Sequence, residues 1–360
     1  MFMPLRINAI GGGFLSNGLK LAALYITIIM GAGFASGQEL LQYFVSFGTS
    51  GIWGLIAAGI IFGLTGWAVL DICRQHKLGD YRALIGHLCG KRIGMFLEWL
   101  VAAFLFVLFV AMLSASGAML QQATGLPFTI GVLVAAGLTM AALWFGLDGI
   151  VWINAVFAPI MLVGGIFIGL YTFFNQAVTT GVGFENVVVP GWIVAAVVYA
   201  SYNMITGVSV LASGSRIAET PGECMAGGLL GGLALTLLGI CMALPLYLHF
   251  ADIIAVEIPF LVIVVGYGWI FTALYVMLML CAILTTAIIN AFALSEWTAG
   301  YSKMPKRLQC GLIVAFAVPA AYIGFSNIVG YVYPLFGFLG LFQIILILLS
   351  WIKSRQMIRQ

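Results

Sequence analysis

The sequence predicts an all-α membrane protein, a bundle of about ten transmembrane helices, and three observations carry that expectation. Hydrophobic residues make up 63% of the chain and charged residues only 7%, whereas water-soluble domains carry about 25% charged residues. Apolar runs long enough to cross a hydrocarbon core of about 30 Å recur from end to end, without the short alternating segments of an outer-membrane barrel. The cations, finally, fall into alternate loops.

Cuts at charged and turn-rich breaks give the spans 20–47, 51–72, 93–122, 127–146, 149–174, 191–214, 223–249, 258–297, 309–325 and 328–352. The tail before the first holds one cation, a GGG run and no long apolar core, so a cleavable signal is not expected and the first helix is retained. With the N-terminus cytoplasmic, Arg6 and Lys20 lie inside. So do the cations of the loop 73–92 (Arg74, Lys77, Arg82, Lys91, Arg92), Arg216, the group Lys303, Lys306 and Arg307, and the C-terminal Lys353, Arg355 and Arg359. These are all 14 cations of the chain. The outer loops 175–190 and 250–257 hold only Glu185, Asp252 and Glu257. The positive-inside rule then puts both termini in the cytoplasm. The net charge of +3 reads as a topology signal and points to no nucleic-acid partner. The lipid bilayer and a small-molecule solute are the expected partners, with no obligate protein partner evident.

Enzyme classes find little support. The chain has no HExxH, no GxSxG and no intramembrane His beside a carboxylate. The 6 cysteines lack C-x-x-C pairing and read as small apolar side chains. Glu98 and Glu296 sit near cytoplasmic span ends, Asp148 reads as a helix start, and His76 and His87 belong to the amphipathic inner loop.

Internal repetition is the next signal. A shift of about 170 residues lays 20–47 on 191–214, 93–122 on 258–297 and 149–174 on 328–352. Two halves of opposite orientation, about 20–174 and 191–352, are expected, as in many transporters. MGAGFASG, starting at Met30, then corresponds to YASYNMITG, starting at Tyr199. Polar and small residues in mid-span predict helices 1 and 6 broken at the midplane, because irregular backbone survives at membrane depth only where protein buries it or a cavity hydrates it. The G-x-x-x-G pair Gly33 and Gly37 has a second reading, close helix packing. Glu39, a carboxylate beside the break, must face a cavity, pair or take up a proton. It reads as a gate, a partner for a cationic substrate group, a proton carrier or a hydrated residue at the outer mouth.

MGAGFASGQELLQYF in the first span and VVYASYNMITG in the sixth resemble the YkvI group of bacterial membrane proteins, itself similar to the amino acid–polyamine–organocation transporters with the LeuT-type five-plus-five inverted repeat. The resemblance covers nearly the whole chain. It implies a secondary active transporter of the bacterial inner membrane that moves a small amphipathic solute, an amino acid or related amine, by ion-coupled alternating access. Gly31-Ala32-Gly33 is similar to the unwound element that holds a substrate carboxylate, and alanine in place of serine leaves backbone N–H groups as donors. A substrate pocket is expected between Gly31, Ala32, Gly33, Phe34 and Ala35 on one wall and Tyr199, Ser201, Tyr202 and Asn203 on the other, with Ser114 and Ser116 as a third wall. The sodium-coupled members further imply a Na⁺ site formed by the carbonyls of Thr27, Met30 and Ala282 and the hydroxyls of Thr285 and Thr286. Adjacent threonines also satisfy themselves on their own helix, which leaves that pair open. No other cofactor is implied. The alternatives are a proton-coupled carrier using Glu39 and a nutrient-sensing receptor of the same fold.

Overall fold

The computed structural model describes residues 16–145 and 189–359, with 163–164, 166–167, 169–171 and 174 between them. Most of the expected fifth span, together with Arg6, Asp148 and Glu185, lies outside the described residues.

Among the described residues every regular element is helical, and 7 helices are long and apolar enough to cross a membrane. The first span is three short helices: α1 (Asn17–Ile29), α2 (Ala32–Ser36) and α3 (Gln38–Tyr43). Long helices α4 (Ser50–Gln75) and α5 (Tyr81–Thr124) follow, and α5 bends at Gly90, whose φ of 72° is open to glycine. The stretch Tyr81–Cys89, expected as an inner loop, is therefore helical. Next come α6 (Phe128–Phe145), α7 (Trp192–Gly214), α8 (Pro221–Leu248) and the one-turn α9 (Phe250–Ile253). A capping box between Thr220 and Glu223 starts α8, satisfying first-turn N–H groups that no helix can satisfy internally.

The expected eighth span, 258–297, is two helices, α10 (Pro259–Val265) and α11 (Trp269–Ala299). The separator is Gly266-Tyr267-Gly268, where Gly268 takes a φ of 102°; apolar continuity masked a glycine-driven turn. The chain ends with α12 (Lys306–Ala320), α13 (Phe325–Asn327), a π turn at Ile328–Val332 and α14 (Tyr333–Arg359).

The largest correction concerns the sixth span, which runs unbroken from Trp192 to Gly214. Three of its polar side chains in mid-span satisfy themselves on their own helix. Ser201 Oγ donates to Val197 O at 2.7 Å, Asn203 Nδ2 to Tyr199 O at 3.0 Å and Thr206 Oγ1 to Asn203 O at 3.3 Å. Side chains that bond back to the turn before them leave no backbone group orphaned, so nothing forces the helix open.

Packing divides the helices into two groups. Helices α1 and α4 each pack on both α7 and α8, and α5, α6, α11 and α12 pack mutually, while α14 lies on α7, α4 and α5. The tightest approach is α4 on α8, where Gly59 and Gly63 face Gly228 and Gly232. A Cβ at Gly232 would come within 2.6 Å of Gly59 O and Gly63 N. Lipid is as apolar as leucine, so such small-residue seams let backbones gain contact where burial alone gives no drive. At one end of this group the buried Asp71 accepts from Trp351 Nε1 at 2.9 Å and from Arg355 at 3.1 Å, tying α14 to α4. A carboxylate that is 1% exposed needs such partners to offset its desolvation.

Candidate functional site

Between the two groups lies a cavity of about 140 Å³. An engineered apolar cavity of about 150 Å³ takes up benzene, so the space suits a small organic solute. The break in the first span forms one wall. At the end of α1 the Gly31 N–H turns back to Ile29 O at 3.0 Å, abandoning Thr27 O, the carbonyl four residues earlier that a continuing helix would engage. Met30 leaves the helix with ψ 69°, which turns its own carbonyl off the axis. The glycines therefore do open the backbone here. Gly37 then takes a φ of 83° between α2 and α3, a conformation a side chain strains to adopt.

Most of the predicted site residues meet in this cavity. Gly31, Ala32, Gly33, Phe34, Ala35 and Glu39 line it from the broken span, Tyr202 and Asn203 from α7, and Thr27, Met30, Ala282 and Thr286 from the expected ion site. Three do not. Tyr199 packs beside Phe62 and Phe34 around a smaller neighbouring hollow. Ser201 lies against α14, where a Cβ on Gly340 would come within 2.7 Å of its carbonyl. Thr285 donates to Ala282 O at 3.1 Å, the same-helix bond open to an intramembrane threonine. The third wall also differs from expectation. Ser114 and Ser116 are buried elsewhere, Ser116 donating to Gly131 O at 3.2 Å, and α5 presents Phe104, Leu105, Leu108 and Met112 instead.

Glu39 is 6% exposed and its Oε2 has no hydrogen-bond partner. The carboxylate lies over Gly33, where an added Cβ would overlap Oε1, so the glycine makes room for the acid. Four tyrosines, Tyr43, Tyr199, Tyr202 and Tyr333, lie within its electrostatic reach. Their rings interlock, with Tyr43–Tyr202 centroids 5.5 Å apart and Tyr202–Tyr333 5.0 Å apart. Among the described residues Glu39 forms no ion pair.

Sequence reasoning missed Phe104, Asn290 and Tyr333 as lining residues. The Asn290 Nδ2 is buried without a partner, a donor free for a ligand. One signal existed for it: Asn290 lies four residues after Thr286, on the same helix face. Tyr333 follows the π turn, a local widening that tends to mark functional positions.

The two ends of the cavity differ. Toward α3 it is sealed: Gln38 Nε2 donates to Ser326 Oγ at 2.6 Å, Gln42 to Ser326 O at 3.0 Å, and Glu257 accepts from the Ser326 N–H at 2.6 Å. Toward α1 the lining residue Thr27 is exposed. At that same end Glu98 pairs with Arg82 at 2.8 Å and Glu296 with Lys306, while the His76 and His87 rings lie 4.1 Å apart, tilted by 39°.

No protein-family model matches the chain. It is 24% identical over 322 residues, 89% of this chain and 92% of the relative, to "Uncharacterized membrane protein YkvI" of Bacillus subtilis (strain 168). It is 25% identical over 342 residues, 94% of this chain and 98% of the relative, to "Uncharacterized protein YyaD" of the same organism. Among solved structures it matches the inward-facing conformation of Mhp1 with a TM-score of 0.57 at 15% identity, covering 90% of this chain and 73% of that one. It matches an Eremococcus coleocola manganese transporter with a TM-score of 0.60 at 15% identity, covering 94% of this chain and 81% of that one. Over most of its length, then, the chain is similar to the YkvI and YyaD membrane proteins, and its fold is that of the LeuT-type transporters.

Proposed function

We propose that the chain is a secondary active carrier that moves a small amphipathic solute, an amino acid or related amine, together with Na⁺. The carrying observation is the broken first span, whose freed backbone groups open into a cavity between two separately packed helix groups. Thr27 and Met30 offer carbonyls on one side, and Ala282 and Thr286 offer a carbonyl and a hydroxyl on the other. Thr285 Oγ1, now bonded to Ala282 O at 3.1 Å, would join them only by giving up that same-helix bond. Such neutral hard oxygens favour Na⁺ over a softer metal. Manganese, the cargo of one structural neighbour, has less to hold it: among the described residues no group of three His, Cys, Asp or Glu side chains comes together.

In this reading the group α1, α4, α7 and α8 rocks against α5, α6, α11 and α12, and the solute sits at the seam. With both termini in the cytoplasm of a bacterial cell, the sealed end at Ser326 faces outward and the open end at Thr27 faces inward, an inward-open state. Na⁺ must bind the outward-open state more tightly, since a ligand indifferent to the two states drives nothing. Each of the two halves, about 20–174 and 191–352, contributes two helices to each side of the motion.

Uptake into proteoliposomes tests this directly. Labelled amino acids should accumulate against their gradient with Na⁺ outside and fail to do so with K⁺. Binding without accumulation would make the protein a receptor. Accumulation driven by a pH gradient alone, and lost in Glu39→Gln, would move the coupling to protons.

A further inference from the structure

The cavity has an acid with no base. Glu39 is more than nine-tenths buried, its Oε2 is unpartnered and its carboxylate borders the cavity. Among the described residues no Lys or Arg lines that space. Beside it three lining rings pack on one another, Phe104–Tyr202 at 6.1 Å, Phe104–Tyr333 at 5.6 Å and Tyr202–Tyr333 at 5.0 Å between centroids. The Tyr333 hydroxyl is itself unpaired, and the Tyr202 hydroxyl lies beside the Glu39 carboxylate. A buried charge without a countercharge is costly and persists where a ligand supplies one.

We propose that Glu39 is the countercharge for an ammonium group, so that the solute of this cavity is a small ammonium-bearing molecule lodged between Glu39 and the rings of Phe104, Tyr202 and Tyr333. The inference rests on the carrier reading of the same cavity and names its substrate class. A bare metal ion suits the place poorly. Hard divalent cations take six or more oxygens, and around this one carboxylate stand aromatic rings and the side chains of Leu105, Leu108 and Met112. An alkylated or primary ammonium gains from those surroundings, because ring faces attract a partly desolvated organic cation while its carbon skeleton fills apolar space. The cavity volume of about 140 Å³ admits one such molecule of benzene-like size. Asn290 Nδ2 stands ready for an acceptor elsewhere on the solute.

The test is thermal unfolding of the full chain in detergent at constant NaCl, titrated with n-butylammonium, butyrate or butan-1-ol, which share size and differ in charge. Butylammonium should raise the melting temperature saturably while the other two do not. Glu39→Gln should weaken its apparent affinity by about thirtyfold or more, the loss expected when one partner of a buried charge pair is removed. Glu98→Gln, at the far end, should leave it unchanged. Should Glu39→Gln fail to fold, Phe104→Leu serves in its place, with an expected loss of about three- to thirtyfold. The proposal is overturned by absence of a butylammonium effect, by equal stabilisation from butyrate or butanol, or by an effect that survives Glu39→Gln. It is also overturned if Na⁺ alone stabilises the protein through Glu39, which would make this an inorganic cation site. The carrier reading fails separately, when butylammonium-type solutes bind through Glu39 but are not accumulated by proteoliposomes.

Discussion

The first span and the sixth span carry similar loads of polar and small residues, yet one is open and the other is intact. Between Met30 and Gly37 the smallness lies in the backbone: Gly31, Gly33 and Gly37 remove side chains, and the helix turns away from Thr27 O and again at a left-handed glycine. Between Tyr199 and Gly207 the polarity lies in side chains, and Ser201, Asn203 and Thr206 each return their hydrogen bonds to their own helix. Polar density is thus no measure of helix opening; what counts is whether the polar groups released are main-chain or side-chain.

That contrast breaks most sharply at Gly33. Gly33→Ala puts a Cβ into the Glu39 carboxylate and should abolish uptake in proteoliposomes; full activity in the variant would remove the break from the site. A smaller effect is expected at Gly37→Ala, where φ is 83° and the new Cβ would approach Phe260 Cδ2 to 2.6 Å. Strain of about 1–3 kcal/mol should lower the melting temperature of the purified protein, and an unchanged transition would show that α2 and α3 tolerate another connection. Thr286→Ala, which leaves the fold intact but removes a cavity hydroxyl, should raise the Na⁺ concentration for half-maximal uptake by about tenfold. Equal Na⁺ dependence in variant and parent would leave Thr286 an ordinary helix residue. The smallest change belongs to the unbroken span: Ser201→Ala loses only a same-helix bond and should alter stability by less than about 0.5 kcal/mol, with uptake as in the parent. A large loss of uptake there would mean that the sixth span opens during the cycle.

The bundle and the first-helix break were legible because apolar length and clustered glycines are local signals. Glu39 was legible as an anomaly, since no packing role asks for a carboxylate there. The mistaken break in the sixth span came from treating Ser201 and Asn203 as orphan-makers when they are self-satisfied. The missed turn at Gly266 and Gly268 came from counting apolar residues through it. Phe104, Tyr333 and the ring cluster were invisible for another reason: each looks like a packing residue in its own helix, and only the tertiary fold brings three distant helices to one acid.

The contact between Gly33 and Glu39 also bears on how such sequences change over generations. Because the carboxylate occupies the volume a Cβ would need, position 33 is not free to gain a side chain while position 39 keeps its acid. A lineage that acquires alanine at residue 33 is expected to carry a shorter or uncharged residue at 39, and one that keeps the acid is expected to keep the glycine. A comparison of related chains that found alanine at 33 together with glutamate at 39 would dissolve that expectation.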